Sequence, residues 1–349
     1  MKKRVVWMDV MRLVCAFLVI VNHTNSPIYK MTTPANGSWW LSILWYYISK
    51  IAVPIFVMIS GACLLPRQDS YRKHGARILR MLIVLLVFSY GFFIYDAWVL
   101  YGIWPRMTDM SAFFSMMWTA TCGDAFWYLY FYIALIAMLP LFQRMTASMT
   151  KADHLYLMGM CYVFGALWPL VTHYAPELEI TRYFDVPLFS IYVGLFFAGH
   201  FIHQSKPTTR KHMLWASAAL AASLALSVVL TRLEYSFGTE KYWFMDDRMY
   251  PSATTTVSAV SAVILARGLL RRDWSPRGQK ALSVLAGCSF GIYLLEEVVI
   301  YLTRGPIYVP LCNYMPAIFA VLIWEIAVFL ISLVLTLVLK RIPLIRKLV

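Results

Sequence analysis

The chain has 349 residues, 61% of them apolar and only 14% charged, with a mean hydropathy of +0.66 and a formal net charge of +14. No water-soluble domain can hide that share of apolar surface, so a soluble enzyme or binding module is excluded. Apolar runs of the roughly 20 residues needed to cross a bilayer recur from end to end, which predicts an all-α polytopic membrane protein, because only helices satisfy their own backbone in lipid.

In chain order the spans are expected at 5–24, 41–65, 78–101, 126–142, 155–173, 186–203, 213–231, 250–270, 282–303 and 315–339, about ten transmembrane helices. The first run is too long for a cleavable signal, and no small-residue cleavage site follows it. The stretch SAFFSMMWTA at 111–120 is too short to cross and is expected to lie in the interface or to re-enter. Loops stay under about 25 residues, and no repeat or low-complexity tract divides the chain, so 1–349 reads as a single integral-membrane domain.

Orientation follows from the loops. With the N-terminus cytoplasmic, 22 Lys and Arg fall in inner loops and tails and seven in outer ones, while Arg12 and Lys50 lie inside spans. Acidic residues lean the other way, with Glu177, Glu179, Asp185, Glu234, Glu240, Asp246 and Asp247 all outside. Both termini are therefore expected in the cytoplasm, and the net charge reflects topology rather than nucleic-acid binding. The six cysteines contain no C-x-x-C pair, which argues against a metal or redox site. Cys122 and Cys312 both fall on the outer side, where a disulfide is chemically allowed. The triplet Asn36-Gly37-Ser38 is a formal glycosylation sequon, a pattern common by chance.

The first span, MDVMRLVCAFLVIVNHTNSP at 8–27, keeps three costly polar groups. Arg12 and His23 are eleven residues apart, which on a helix returns to within about 20° of one face at a separation of roughly 16 Å. Asp9, three residues before Arg12, joins that stripe within salt-bridge reach. Ionisable groups embedded in a membrane are functional candidates. The competing reading is structural, with Arg12 snorkelling to the surface and His23 capping the outer end of the helix.

The pattern D-x-x-R followed by ten residues and a His resembles the first span of the acyltransferase 3 family of integral membrane acyltransferases. Four further stretches resemble the same family in the same order. They are PIFVMISGACLL at 54–65, ARILR at 76–80, FWYLYFYIALIAMLPLF at 126–142 and CSFGIYLLE at 288–296. Where many members end the last motif with His, this chain has Glu296 followed by Glu297. Glu296 can replace that histidine as a hydrogen-bond acceptor or base, or one of the two glutamates can pair with Lys50 or Arg304.

The resemblance implies transfer of an acyl group, usually acetyl from acetyl-CoA, to a hydroxyl of a carbohydrate or envelope glycan, with no metal. It implies the bilayer of a bacterial cytoplasmic membrane, an acyl-CoA and a glycan acceptor as partners. CoA phosphates need cations, and Arg72, Lys73, Arg77 and Arg80 form the densest inner basic cluster, although every inner loop is basic as a topology signal. Neutral imidazole can take the proton of an attacking sugar hydroxyl, which makes His23 the candidate base and Arg12 with Asp9 the donor-side anchor. An acetyl-histidine relay is the covalent variant. Trp127, Tyr128, Tyr130 and Tyr132 begin the fourth span at the outer interface, where an aromatic belt is expected anyway. Sugars also stack on such rings, and Asp124, Glu296 and Glu297 offer carboxylates to sugar hydroxyls. Ser60-Gly61 reads as a notch for close helix packing. His200, His203 and His212 read as a solvated inner loop. The rival function is a transporter or flippase whose embedded Arg, His and Glu hold an ion or anionic solute; no repeat relates the two halves of the chain.

Overall fold

The computed structural model describes residues 5–24, 28, 32–100, 102, 109–119, 121–179, 189–236, 250–271 and 274–349. All regular structure among these is helical. Helix α1 spans Val6–Thr24, and α2 (Gly37–Lys50) and α3 (Ala52–Leu64) follow end to end with a break at Ile51. Next come α4 (Tyr71–Tyr95), the short α5 (Met110–Thr119) and α6 (Trp127–Ser148). Helices α7 (Lys151–Tyr162) and α8 (Trp168–Tyr174) are joined by a wide π-helical turn at Val163–Leu167. The chain then runs through α9 (Ile191–Gln204), α10 (Arg210–Ser236), α11 (Ala253–Leu269), α12 (Pro276–Ala286), α13 (Ser289–Thr303) and α14 (Ala317–Leu339).

Four of the helices start where a side chain supplies an acceptor for orphan N–H groups. Thr150 and Asp153 form a reciprocal capping box on α7, and Ser252 and Ser275 accept N–H groups of α11 and α12. Asn36 caps α2 by accepting the Ser38 N–H, which gives the sequon asparagine a structural task.

Seven helical segments among the described residues are long and apolar enough to cross a membrane, and α12 with α13, bent by 46°, makes an eighth. The expected count of ten is therefore not reached on length and composition. The two remaining expected spans, 186–203 and 250–270, correspond to helices of 14 and 17 residues. The first part of the former lies outside the described residues, and the latter begins at Ala253, after the cap Ser252. Residues 111–119 of the stretch at 111–120 lie in the ten-residue helix Met110–Thr119, too short to cross as expected, with only Phe113 buried.

Helix α1 is central, touching α2, α3, α11, α12, α13 and α14. Its polar stripe therefore faces protein rather than lipid. By contrast, only 11% of the Lys151–Tyr174 span and 17% of the Arg210–Ser236 span are buried, so these form the periphery. Helices α3 and α9 cross closely at Gly61 and Gly199: a Cβ on Gly61 would sit 1.8 Å from the Phe196 carbonyl oxygen, and one on Gly199 1.8 Å from that of Met58. The notch expected at Ser60-Gly61 is thus a backbone contact.

Candidate active site

A cavity of about 370 Å³ lies along α1. Arg12, Val19, Asn22 and His23 form its α1 wall, and Arg80, Ser60, Lys50, Trp127, Tyr128, Tyr132, Tyr250 and Tyr293 are among the other lining residues. The two ends of the polar stripe thus open into one space. Helical spacing brings the α1 side chains to one wall, and the close packing of α2 and α3 against α1 encloses them.

At one level of the cavity Arg12 donates from Nη1 to Asp9 Oδ1 at 2.9 Å and contacts Cys63 Sγ through Nη2 at 3.5 Å. Asp9 is buried, so the predicted pairing of the two is realised inside the protein. At the other level Nδ1 of His23 lies 2.7 Å from Oε1 of Glu296, a carboxylate with no solvent exposure. The glutamate that stands where the family motif carries His is thereby placed on the candidate base. In the tautomer whose Nδ1–H donates to Glu296, Nε2 of His23 carries the ring's lone pair, and His23 lines the cavity.

Glu297 turns elsewhere. Its Oε1 accepts the backbone N–H of Asp124 at 3.1 Å and its Oε2 that of Ala125 at 3.3 Å. Neither Glu297 nor Asp124 lines the cavity, and the Asp124 side chain is exposed. Trp127, Tyr128 and Tyr132 do line it, while Tyr130 donates to the Met117 carbonyl. Lys50 sits over the rings of Tyr46 and Tyr250 at 4.7 and 4.8 Å, and Tyr250 donates its hydroxyl to the Lys50 carbonyl at 2.8 Å.

The basic cluster is divided. Arg80 lines the cavity. Arg77 donates to Asp69 Oδ2 at 2.6 Å, and Lys73 lies 3.7 Å from the same carboxylate. That guanidinium holds the Asp69 carboxyl below the usual carboxylate range. Arg72 is exposed. The loop histidines also separate. His200 is buried and stacks on His154 at 5.6 Å, and His203 packs near Trp7, so only the exposed His212 fits a solvated loop. The helical register puts His200 on the α7-facing side of α9, which overrides its polarity. Cys122 and Cys312 are unpaired, one buried and one exposed. No group of three or more metal-ligating side chains occurs among the described residues.

Sequence reasoning missed Glu325. It is fully buried in α14, where Thr24 Oγ1 and Trp45 Nε1 donate to its two oxygens at 2.9 and 3.1 Å. A lone acid inside a 23-residue apolar helix was the available signal. A His–Glu contact alone does not define a site: His173 Nε2 also lies 2.8 Å from Glu234, yet neither residue lines the cavity.

Fold and cavity together define a polytopic helical membrane protein with a chamber lined by an imidazole that is backed by a buried carboxylate. The acyltransferase domain model of the acyltransferase 3 family matches residues 5–341, nearly the whole chain, and the protein belongs to that family. It is a membrane acyltransferase. No curated protein and no solved structure matches the chain.

Proposed function

We propose that the protein moves an acetyl group from cytoplasmic acetyl-CoA to a hydroxyl of an extracytoplasmic or envelope carbohydrate, as one integral domain in a bacterial cytoplasmic membrane with both termini inside. The observation that carries this reading is the single cavity that joins Arg12 and Arg80 to His23 in a chain of an acyltransferase family. Arg80 and Arg12 offer cations to the phosphates and polar arm of CoA at the cytoplasmic level. The thioester then lies near His23. The acceptor enters past Trp127 and Tyr128, whose rings suit the faces of a sugar.

His23 Nε2 takes the proton from the acceptor hydroxyl as its oxygen bonds to the acyl carbon. Glu296 stabilises the imidazolium that forms. The tetrahedral adduct collapses with loss of the C–S bond, and the imidazolium returns its proton to the sulfur. The products are CoA thiol and an ester. The test is transfer of radiolabelled acetyl from acetyl-CoA to alkali-labile glycan in membranes of a source strain lacking the gene, with and without the purified protein. Labelled glycan that appears only with the protein, and not with His23→Gln, supports the reading. Equal label with and without the protein rejects it.

A further inference from the structure

We propose that Glu297 is a positioning residue that fixes the Trp127–Tyr128 wall of the cavity, and through it acceptor binding, while the adjacent Glu296 serves the base. This rests on the reading of that wall as the acceptor side. Neighbouring residues on a helix point about 100° apart, so the two carboxylates of α13 reach different elements. Glu296 meets His23 on α1, and Glu297 meets the short 3₁₀ turn Asp124–Phe126 that leads into α6.

That turn needs an outside partner. The first N–H groups of a helical segment have no acceptor within it, and neither the turn nor α6 carries a side-chain cap of its own. Glu297 supplies the cap from a helix more than 170 residues further along the chain, with one oxygen on each of two consecutive N–H groups. Its negative charge also suits the positive end of the turn. Tyr293, one helical turn before Glu297 on the same face of α13, donates its hydroxyl to the Ala125 carbonyl at 2.7 Å. Ala125 is therefore held at both its N–H and its C=O by one face of one helix. Ala125, Trp127, Tyr128 and Tyr293 all line the cavity, whereas Glu297 does not. The carboxylate thus acts on the wall from behind. Gly123 leaves it room, since a Cβ there would lie 3.0 Å from Glu297 Oε2 and 3.3 Å from the Phe92 ring.

Glu297→Gln tests this with little change in shape. Its one carbonyl oxygen can serve one N–H, and its amide would confront the other. Radiolabelled transfer is measured over a range of concentrations of envelope glycan extracted from the deletion strain, with acetyl-CoA affinity measured separately by equilibrium binding. The acceptor KM should rise at least about tenfold, with acetyl-CoA affinity and kcat at saturating glycan within about threefold of the unsubstituted protein. Gly123→Ala, which crowds the same carboxylate without altering charge, should shift the acceptor KM in the same direction. A fall in kcat with unchanged acceptor KM, or a matching loss of acetyl-CoA affinity, would overturn the assignment and leave Glu297 a part of the base or of the general fold. If the unsubstituted protein labels no glycan but binds acetyl-CoA, the proposed acceptor class fails. Acetyl-CoA hydrolysis, with water as acceptor, is then compared between the unsubstituted and Glu297→Gln proteins, and a slower hydrolysis by Glu297→Gln would also overturn the acceptor-side role.

Discussion

His23→Gln separates basicity from hydrogen bonding, and the surroundings of His23 explain why Gln is the informative substitution. Glu296 has no solvent exposure, and its Oε1 lies 2.7 Å from the imidazole. His23→Ala would strand that carboxylate, and breaking a buried pair costs about 3–5 kcal/mol, so loss of fold would imitate loss of catalysis. A glutamine amide N–H can replace the ring N–H toward Glu296 while offering the cavity no basic nitrogen. General-base catalysis contributes about 10²–10⁴ in rate, which is about 2.7–5.5 kcal/mol of barrier. His23→Gln should therefore lower kcat at least about 100-fold. Its thermal midpoint should stay within about 3 °C. Glu296→Gln still accepts the Nδ1–H and holds the tautomer, but it no longer opposes the imidazolium charge. One charge-assisted hydrogen bond is worth about 1.5–3 kcal/mol, so a loss of roughly tenfold to 150-fold is expected. The pair should act as a unit, with the double variant no slower than His23→Gln alone. The assay is radiolabelled acetyl transfer to alkali-labile glycan, with thermal unfolding run in parallel. A His23→Gln protein with unchanged kcat would refute general-base catalysis and restore the structural-cap reading.

Among the basic residues, Arg80→Ala should raise the acetyl-CoA KM about tenfold or more, because Arg80 lines the cavity, whereas Arg72→Ala should change it little. Asp69→Asn removes the ion-pair partner of Arg77, which does not line the cavity, and should therefore leave the acetyl-CoA KM little changed. Because Arg77 lowers the Asp69 pKa, this ion pair is intact above the ordinary carboxylate value near 3.9 and is lost only as pH falls through the depressed native one. Donor KM measured from about pH 5 to 8 should therefore show no titration from Asp69, and a step in that window removed by Asp69→Asn would contradict the assignment. Reporter fusions after Lys151 and Arg210 should read as cytoplasmic and one after Glu240 as external; residue 240 in the cytoplasm would reverse the topology. Gly61→Ala should destabilise by about 1–3 kcal/mol or more, read as a lower thermal midpoint, since its methyl would collide with the Phe196 backbone.

What the sequence revealed depended on the distance over which each interaction acts. Asp9 and Arg12 are three residues apart, so helical geometry alone foretold their contact, and the eleven-residue spacing foretold that Arg12 and His23 line one wall. Hydropathy located the apolar helices but not which of them are long enough to cross. The α2–α3 break at Ile51 is hidden inside one continuous apolar run, and the bend between α12 and α13 falls within another. Pairings across the bundle carry no periodic signal. His23 and Glu296 are 273 residues apart, and Thr24 and Glu325 301 apart. For such groups the sequence shows only the cost, a carboxylate in an apolar helix, and not the partner that offsets it. Glu296 and Glu297 illustrate the limit. The motif singled out Glu296 as the replacement for a histidine, but both were expected as substrate ligands, and the 100° step of a helix sends one to an imidazole and the other to two backbone N–H groups. Ala125 on the cavity wall is held from the cavity surface by Tyr293, through its C=O, and from behind by Glu297, through its N–H. If that wall receives the acceptor as proposed, Glu297→Gln should move the acceptor KM although its side chain does not line the cavity.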